Sequence, residues 1–531
     1  MQTSSKKSLI AFGRASLQQL PIGKKFNDPG HFQKNKQIFI NKTFPFLILV
    51  VVMIYSCTST QQKVDKVEDK TPEFLNKFLT KQPLANASIG LFAANSETGN
   101  ILIDYNGGKS LIPASVQKLL IAGAALETFG PDFTFETSLA YDGKITANGT
   151  LNGDIVIIGH SDPALASSRF SEHYGNVILN FKKAITDAGI KKINGKVIGD
   201  ASWYGDPKIP DTWIWEDIGN YYGAIPSGLN LYENTYQLSF ESGKPGSKTT
   251  ISGIDPSLPW LSFYNEVKAA NDNRDNAYIF GSYFSNVRRV RGTIPANRKN
   301  FTIKGAIDDP AYLAAHQLTE ALIKSGVTIS GEAESRFTSQ AGSVANVLFT
   351  IQSPPLSEII FYLNMNSINL YAETLLLQLA KKKNGSADFE SACETLNDFW
   401  KAKGMDSKGM FLKDGSGLSR ANSLTAGQLV FLLSYMKNES KYADQFIKSL
   451  PVAGKSGSLK SFGKASEIAE KFVAKSGYMS RVMNYAGYLK TNEGKDLIVV
   501  VLVNNYTCTN VEMKSLLEDL ISGISKHDID K

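Results

Sequence analysis

Residues 113–129 read PASVQKLLIAGAALETF, and this stretch decides how the rest of the chain is understood. Pro113 suits a first helical turn, and Leu119, Leu120, Ala122, Ala124 and Leu126 then supply an inward-packing face. At the head of that predicted helix, Ser115 and Lys118 stand three apart, so a hydroxyl and an amine share one face. A serine hydroxyl is a poor nucleophile until a neighbouring base removes its proton. Histidine is the usual base, but the five histidines (His31, His160, His173, His316, His527) are scattered and no G-x-S-x-G elbow is present. A lysine serves instead when burial or nearby positive charge keeps it neutral. Alone the pattern is weak, because Ser4 and Lys7 match it too. The bland reading is a capping serine beside a solvated lysine.

Working outward, Ser367-Ile368-Asn369 precedes an amphipathic run containing Leu375, Leu376 and Leu379. Helix capping would explain these residues. A catalytic reading makes Ser367 a proton relay to a leaving amine and Asn369 the amide that holds Lys118 and a substrate carbonyl. Lys475-Ser476-Gly477 directly follows the strand-like Phe472-Val473-Ala474. On an edge strand an ammonium and a hydroxyl bind a carboxylate, and the glycine lets a peptide backbone lie close. The Lys475 ammonium would also help to keep Lys118 neutral. A second copy, Lys455-Ser456-Gly457, lies in the Gly/Ser-rich residues 453–458 with no strand before it, and is set aside.

Between these points the texture changes. Residues 85–105 read as a hairpin around Ser96-Glu97-Thr98-Gly99. From about 133 to 301, short β-rich pieces alternate with Gly, Asn, Asp and Pro turns, with one helix near 175–188 and an irregular stretch at 274–291. Helical patterns return at 311–325, 356–382, 388–403, 426–436 and 512–524, with strands at 472–474, 486–490 and 497–503. The economical architecture is an α/β domain interrupted by a large, mostly β insertion. A chain of 531 residues has room for two or three cores.

Serine-x-x-lysine, serine-x-asparagine and lysine-serine-glycine in this order resemble the three motifs of penicillin-binding proteins and serine β-lactamases. The flanks PASVQK (113–118) and LETFGPDF (126–133) resemble the low-molecular-mass class C penicillin-binding proteins. So do Gly153-Asp154 with Ser161-Asp162-Pro163, DGSGLSR (414–420) and LPVAG (450–454). The 252-residue separation of Ser115 from Ser367 fits that class, which carries two extra domains at that point. The resemblance covers about residues 75–525. It implies a serine β-lactamase/transpeptidase-like domain, an antiparallel sheet with helices, built from 75–134 and 305–531. It also implies an inserted β-rich pair of sub-domains at 135–304.

The implied activity is that of a D-alanyl-D-alanine carboxypeptidase or endopeptidase. It would act on peptidoglycan peptides through an acyl-Ser115 intermediate, take β-lactams as covalent inhibitors, and need no cofactor or metal. Ser476, Gly477 and Tyr478 would bind substrate. Asp217, an aromatic five residues later (Tyr222) and the distant Arg420 would hold a diaminopimelate side chain, one acid for its ammonium and one guanidinium fork for its carboxylate. The family commonly has Thr where Ser476 stands, and Ser or Thr where Tyr478 stands. The second departure displaces a hydroxyl from the terminal carboxylate, so preference for terminal D-alanine is expected to weaken relative to cross-links. Two rivals stay open: a β-lactamase or esterase on the same scaffold, and a catalytically inactive murein-binding protein.

Residues 43–55 (TFPFLILVVVMIY) are apolar and too short to cross a hydrocarbon core of roughly 30 Å comfortably. They suit a secretory signal flanked by Lys34, Lys36 and Lys42, and Ile54-Tyr55-Ser56-Cys57 resembles a lipobox in which Cys57 is lipidated. An ordinary signal or anchor is the alternative, and a start downstream of Met1 is compatible with the long basic stretch. The expected leader is 1–57, the polar tether 58–74, and the address the periplasm, with membrane attachment through the amino-terminal lipid or anchor. Residues 1–57 hold eight basic side chains against Asp28 alone, which accounts for the whole formal charge of +7. The body is electroneutral, so nucleic acid is not an expected partner. Three distant cysteines make no disulfide framework, and Cys393 and Cys508 are expected to be core residues.

Overall fold

Asp496–Asn504 (DLIVVVLVN) is buried over all but its first residue, because it is the central strand of a five-stranded sheet. Alternate side chains of a strand face opposite ways, and here both ways lead into apolar packing. Val499, Val501 and Val503 cluster with Leu91, Leu517 and Ile521, whereas Ile498, Val500 and Leu502 join Leu429, Leu433 and Leu120. The unbroken apolar run is therefore a strand covered on both faces. The computed structural model describes residues 72–206, 209–283, 285–338, 346–385 and 387–527. Cys57, the apolar run and all but the end of the expected tether lie outside them. The helix Glu73–Leu79 begins inside the stretch expected to be tether.

The sheet order is Phe472–Met479, Val482–Lys490, Asp496–Asn504, Ser88–Asn95, Ile101–Tyr105, and every neighbouring pair is antiparallel. Glu73–Leu79 and Asn510–Lys526 cover one face. Lys118–Phe129, Leu356–Met365, Asn369–Asn384, Phe389–Ala402 and Ala426–Asn438 belong to the core on the other. Phe472–Met479 is an edge strand, and its first half is strapped by a second segment. Ala453 N donates to Phe472 O and Ala474 N to Pro451 O, both at 2.9 Å. From Lys475 onward the strap is gone.

The insertion differs from its expected limits. Asn346–Gln352 pairs antiparallel with Glu136–Tyr141, in a mixed sheet ordered Glu334–Arg336, Val197–Asp200, Ile155–Gly159, Glu136–Tyr141, Asn346–Gln352. The helix Pro310–Lys324 packs on Val197–Asp200, where Gly199 leaves so little room that an added Cβ would sit 2.1 Å from Ala311 O. Residues 310–352, expected in the peptidase domain, thus complete the sheet that opens at 136. A four-stranded sheet with Thr328–Ile329, Lys192–Ile193, Thr150–Asn152 and Lys144–Ile145 lies in the same part of the chain. Residues 235–306 build two further sheets. The stretch 274–291, expected to be irregular, pairs Asn276–Phe280 with Val287–Pro295, because alternate residues turn one face inward, with Ile279 buried opposite Val290, while Arg289 and Arg291 face out. The predicted helix over 356–382 is two helices, broken where Ser367 takes φ +59°. Among the described residues no helix is long and apolar enough to cross a membrane.

Candidate active site

Ser115 lies in the 3₁₀ turn Ala114–Gln117, from which the α-helix Lys118–Phe129 continues. The helix therefore starts later than its sequence pattern predicts. With three residues per turn, positions i and i+3 eclipse, which brings the amine to the hydroxyl. Lys118 is fully buried, and its Nζ lies 2.9 Å from Ser115 Oγ, 2.7 Å from Asn369 Oδ1 and 2.6 Å from Ser416 O. Asn369 is oriented by its Nδ2, which donates to Tyr222 O at 2.7 Å. Burial pushes the Lys118 amine down to about 7, against the pull of the Glu373 and Asp414 carboxyls. An uncharged amine has two hydrogens and one lone pair. The Asn369 and Ser416 oxygens only accept, so they take the two hydrogens, and the lone pair is left for the one partner able to donate, the Ser115 hydroxyl. The site holds its base aimed at its nucleophile.

Ser367 and Lys475 form the facing wall. Lys475 is fully buried and donates to Ser367 Oγ at 2.9 Å and Ser476 O at 2.8 Å. Burial drives its amine well below the usual lysine range, and the nearby Lys118 amine adds to the effect. The sequence expectation that Lys475 neutralises Lys118 is thus modified: for Lys118 the dominant cause is burial. Lys475, Ser476 and Gly477 lie inside the strand Phe472–Met479 rather than after it. Gly477 is there for closeness, since an added Cβ would meet Pro113 O at 2.6 Å and Ser115 N at 3.1 Å. Ser476 Oγ donates to Ser458 Oγ at 2.7 Å, so the segment of the discarded motif copy buttresses the true one. Lys455 of that copy pairs with Glu470 at the surface.

A cavity of about 690 Å³ opens over these groups, lined by Ser115, Ser367, Asn369 and Tyr478 and, across the cleft, by Asp217, Tyr222 and Arg420. Burial pushes the Asp217 carboxyl up to about 6, while the Arg420 guanidinium and the Tyr222 hydroxyl pull it back. The inserted segment and the peptidase domain thus bring the expected acid, aromatic and guanidinium to one place. Tyr478 is exposed, and its hydroxyl accepts a hydrogen bond from Asn510 Nδ2, whose Oδ1 accepts one from Tyr506 at 2.8 Å. Cys393 is buried as expected, but Cys508 is half-buried and lines the cleft.

Several contributors escaped the sequence reading. Glu373, one helical turn after Asn369 and fully buried, accepts from Gly415 N at 2.6 Å and Ser416 N at 2.8 Å. It thereby fixes the carbonyl that holds Lys118. Asp414 accepts from Ser419 N, Gly417 N, Trp213 Nε1 and Asn422 Nδ2. Asn484 Nδ2 donates to Ile112 O and Pro113 O, clamping the approach to Ser115. The i+4 spacing from Asn369 to Glu373 was the available signal; for Asn484 there was none.

A serine, a buried lysine aimed at it and an unpaired strand end beside it define an active-serine acyl-transfer enzyme. Residues 72–521 match the D-Ala-D-Ala carboxypeptidase 3 (S13) family. The chain is 29% identical over 447 residues to the D-alanyl-D-alanine carboxypeptidase of Actinomadura sp. strain R39, covering 82% of this chain and 80% of that one. The crystal structure of penicillin binding protein 4 from Haemophilus influenzae superposes with a TM-score of 0.71 at 26% identity, covering 85% of this chain and 98% of that one. A second structure of that protein, complexed with a β-lactam, gives a TM-score of 0.67 at 24% identity over the same shares. The chain belongs to the D-Ala-D-Ala carboxypeptidase 3 (S13) family.

Proposed function

We propose that this protein hydrolyses D-alanyl-D-alanine ends and cross-links of peptidoglycan peptides through an ester to Ser115, and that β-lactams acylate the same oxygen. The observation that carries this is the threefold coordination of Lys118, which leaves its lone pair facing Ser115. Ser115 Oγ attacks the carbonyl of the penultimate D-alanine as its proton passes to Lys118 Nζ. The N–H groups of Ser115 and Tyr478 receive the developing oxyanion, a role preorganised backbone donors fill at no reorganisation cost. Ser367, held by Lys475, passes a proton to the departing amine, and water then cleaves the ester. Ser476 and Lys475 take the terminal carboxylate, while Asp217, Tyr222 and Arg420 take the ammonium and carboxylate of a diamino-acid side chain. Binding of a β-lactam by the Haemophilus protein supports the inhibitor reading. Mass analysis of purified cross-linked muropeptides after digestion tests the proposal. Loss of terminal alanine and conversion of dimers to monomers are expected, both absent with Ser115→Ala. Intact peptides, or no fluorescent penicillin on Ser115, overturn it.

We infer export to the periplasm with lipid attachment at Cys57, supported by the basic flank, the apolar residues 43–55 and the tripeptide before the cysteine. Membrane fractionation tests it. Cys57→Ala is expected to release the protein to the soluble fraction, and unchanged partition overturns the lipid anchor.

A further inference from the structure

The edge strand Phe472–Met479 turns into Val482–Lys490 through two residues, Ser480 and Arg481, since Met479 pairs with Val482. Arg481 takes φ +62°. A positive φ at the second central position of a two-residue turn is what glycine fills without steric cost. An arginine held there is strained backbone that its surroundings must enforce, and such strain clusters at functional sites. Asn505 N donates to Arg481 O at 2.7 Å and fixes the turn. The guanidinium lies over the neighbouring loop, with Nε donating to Tyr506 O and Nη2 to Asn505 O, each at 3.3 Å. Those are long bonds, and they use two of five N–H donors. Arg481 forms no ion pair with any described residue, and it lines the same cavity as Ser115.

Direction along the strand identifies what reaches it. With the terminal carboxylate at Lys475 and Ser476 and the oxyanion at Tyr478, an extended substrate lying on the edge runs upstream past Met479 toward Arg481. The edge ends at Met479 and Arg481 stands in the turn just beyond it, so a substrate advancing about 3.3 Å per residue leaves the edge within two to three residues upstream of the scissile carbonyl and enters the part of the cavity that Arg481 lines. Asp217 and Arg420 already serve the diamino-acid side chain. We propose that Arg481 is a binding residue for a second substrate feature: a free carboxylate on the acyl-donor stem, two to three residues upstream of the bond that is cut. A guanidinium with unspent donors matches a carboxylate in a two-point fork. This rests on the peptidase reading above and adds a preference for stems whose acidic residue is unblocked.

The test crosses two substrates with two proteins. Synthetic stem peptides ending in D-alanyl-D-alanine carry that upstream carboxylate either free or as the amide, and kcat/KM is measured for the full chain and for Arg481→Gly. Glycine suits the turn, so the variant keeps a backbone that folds, and its Tm checks this. The native protein is expected to prefer the free acid about tenfold, the factor that 1.4 kcal/mol corresponds to, and Arg481→Gly to lose the preference through KM. Equal preference in both proteins, or an equal loss on both substrates, overturns the assignment. Failure of penicillin to label Ser115 in the native protein instead overturns the peptidase reading on which it stands.

Discussion

The amine of Lys118 sits where two of its three neighbours cannot give up a hydrogen, and that constraint governs how the site responds to acid. Protonation near pH 7 fills the lone pair that faces Ser115. Acylation by penicillin is therefore expected to rise with pH through about 7 and level off above it, as stopped-flow labelling across pH 5–9 measures. A rate flat over that range would remove Lys118 as the base. Lys118→Arg puts a guanidinium that never deprotonates in place of the neutral amine, and should slow labelling by about 10²–10⁴-fold, the usual share of general-base catalysis. The Asp217 carboxyl titrates near 6. Below that pH it becomes neutral, so KM for a peptide bearing a free side-chain ammonium should climb relative to its acetylated counterpart, and steady-state kinetics at pH 5 and pH 7.5 checks the direction.

On the scale of single elements, the unstrapped end of Phe472–Met479 has to come within van der Waals distance of the turn that carries Ser115. Gly477→Ala puts a methyl group 2.6 Å from Pro113 O, so the strand must move away. Labelling of Ser115 should fall at least about tenfold, read by fluorescent penicillin at fixed time. Tyr478→Thr restores a hydroxyl beside the terminal carboxylate and frees Asn510 from the phenol. Turnover of pentapeptide relative to cross-linked dimer is expected to increase, and an unchanged ratio would show that Tyr478 does not set it. These elements were legible because each motif is local: a serine and lysine one turn apart, and a glycine after an apolar strand. Their boundaries were not. The break at Ser367 depends on a left-handed residue that is not glycine. The strand runs on through Ser476-Gly477 because Asn484 and its neighbours pair with it, a partnership that nothing within the segment announces.

Across the whole molecule, the site is assembled from distant parts of the chain, and this is where sequence reading ran out. Glu373 and the loop it holds are separated by 42 and 43 residues, and Trp213 reaches Asp414 from the inserted part, 201 residues away. No window of sequence contains both partners. The extent of the insertion is not legible locally for the same reason: Asn346–Gln352 joins it only through its pairing with Glu136–Tyr141, about 200 residues earlier in the chain. The overall plan, one sheet with a long excursion between the first and second motifs, was readable because motif order and spacing survive in one dimension. Glu373→Ala would leave two buried N–H groups without an acceptor, costing at least about 2 kcal/mol. Urea denaturation should show a lower midpoint with an unchanged slope, and a midpoint equal to the native one would refute that role. The strap at Pro451–Ala453 has a consequence for life at high concentration. A bare sheet edge invites another copy of the chain to zip on and seed fibrils; by occupying the first half of that edge, the strap leaves an opening too short for a neighbour to template upon.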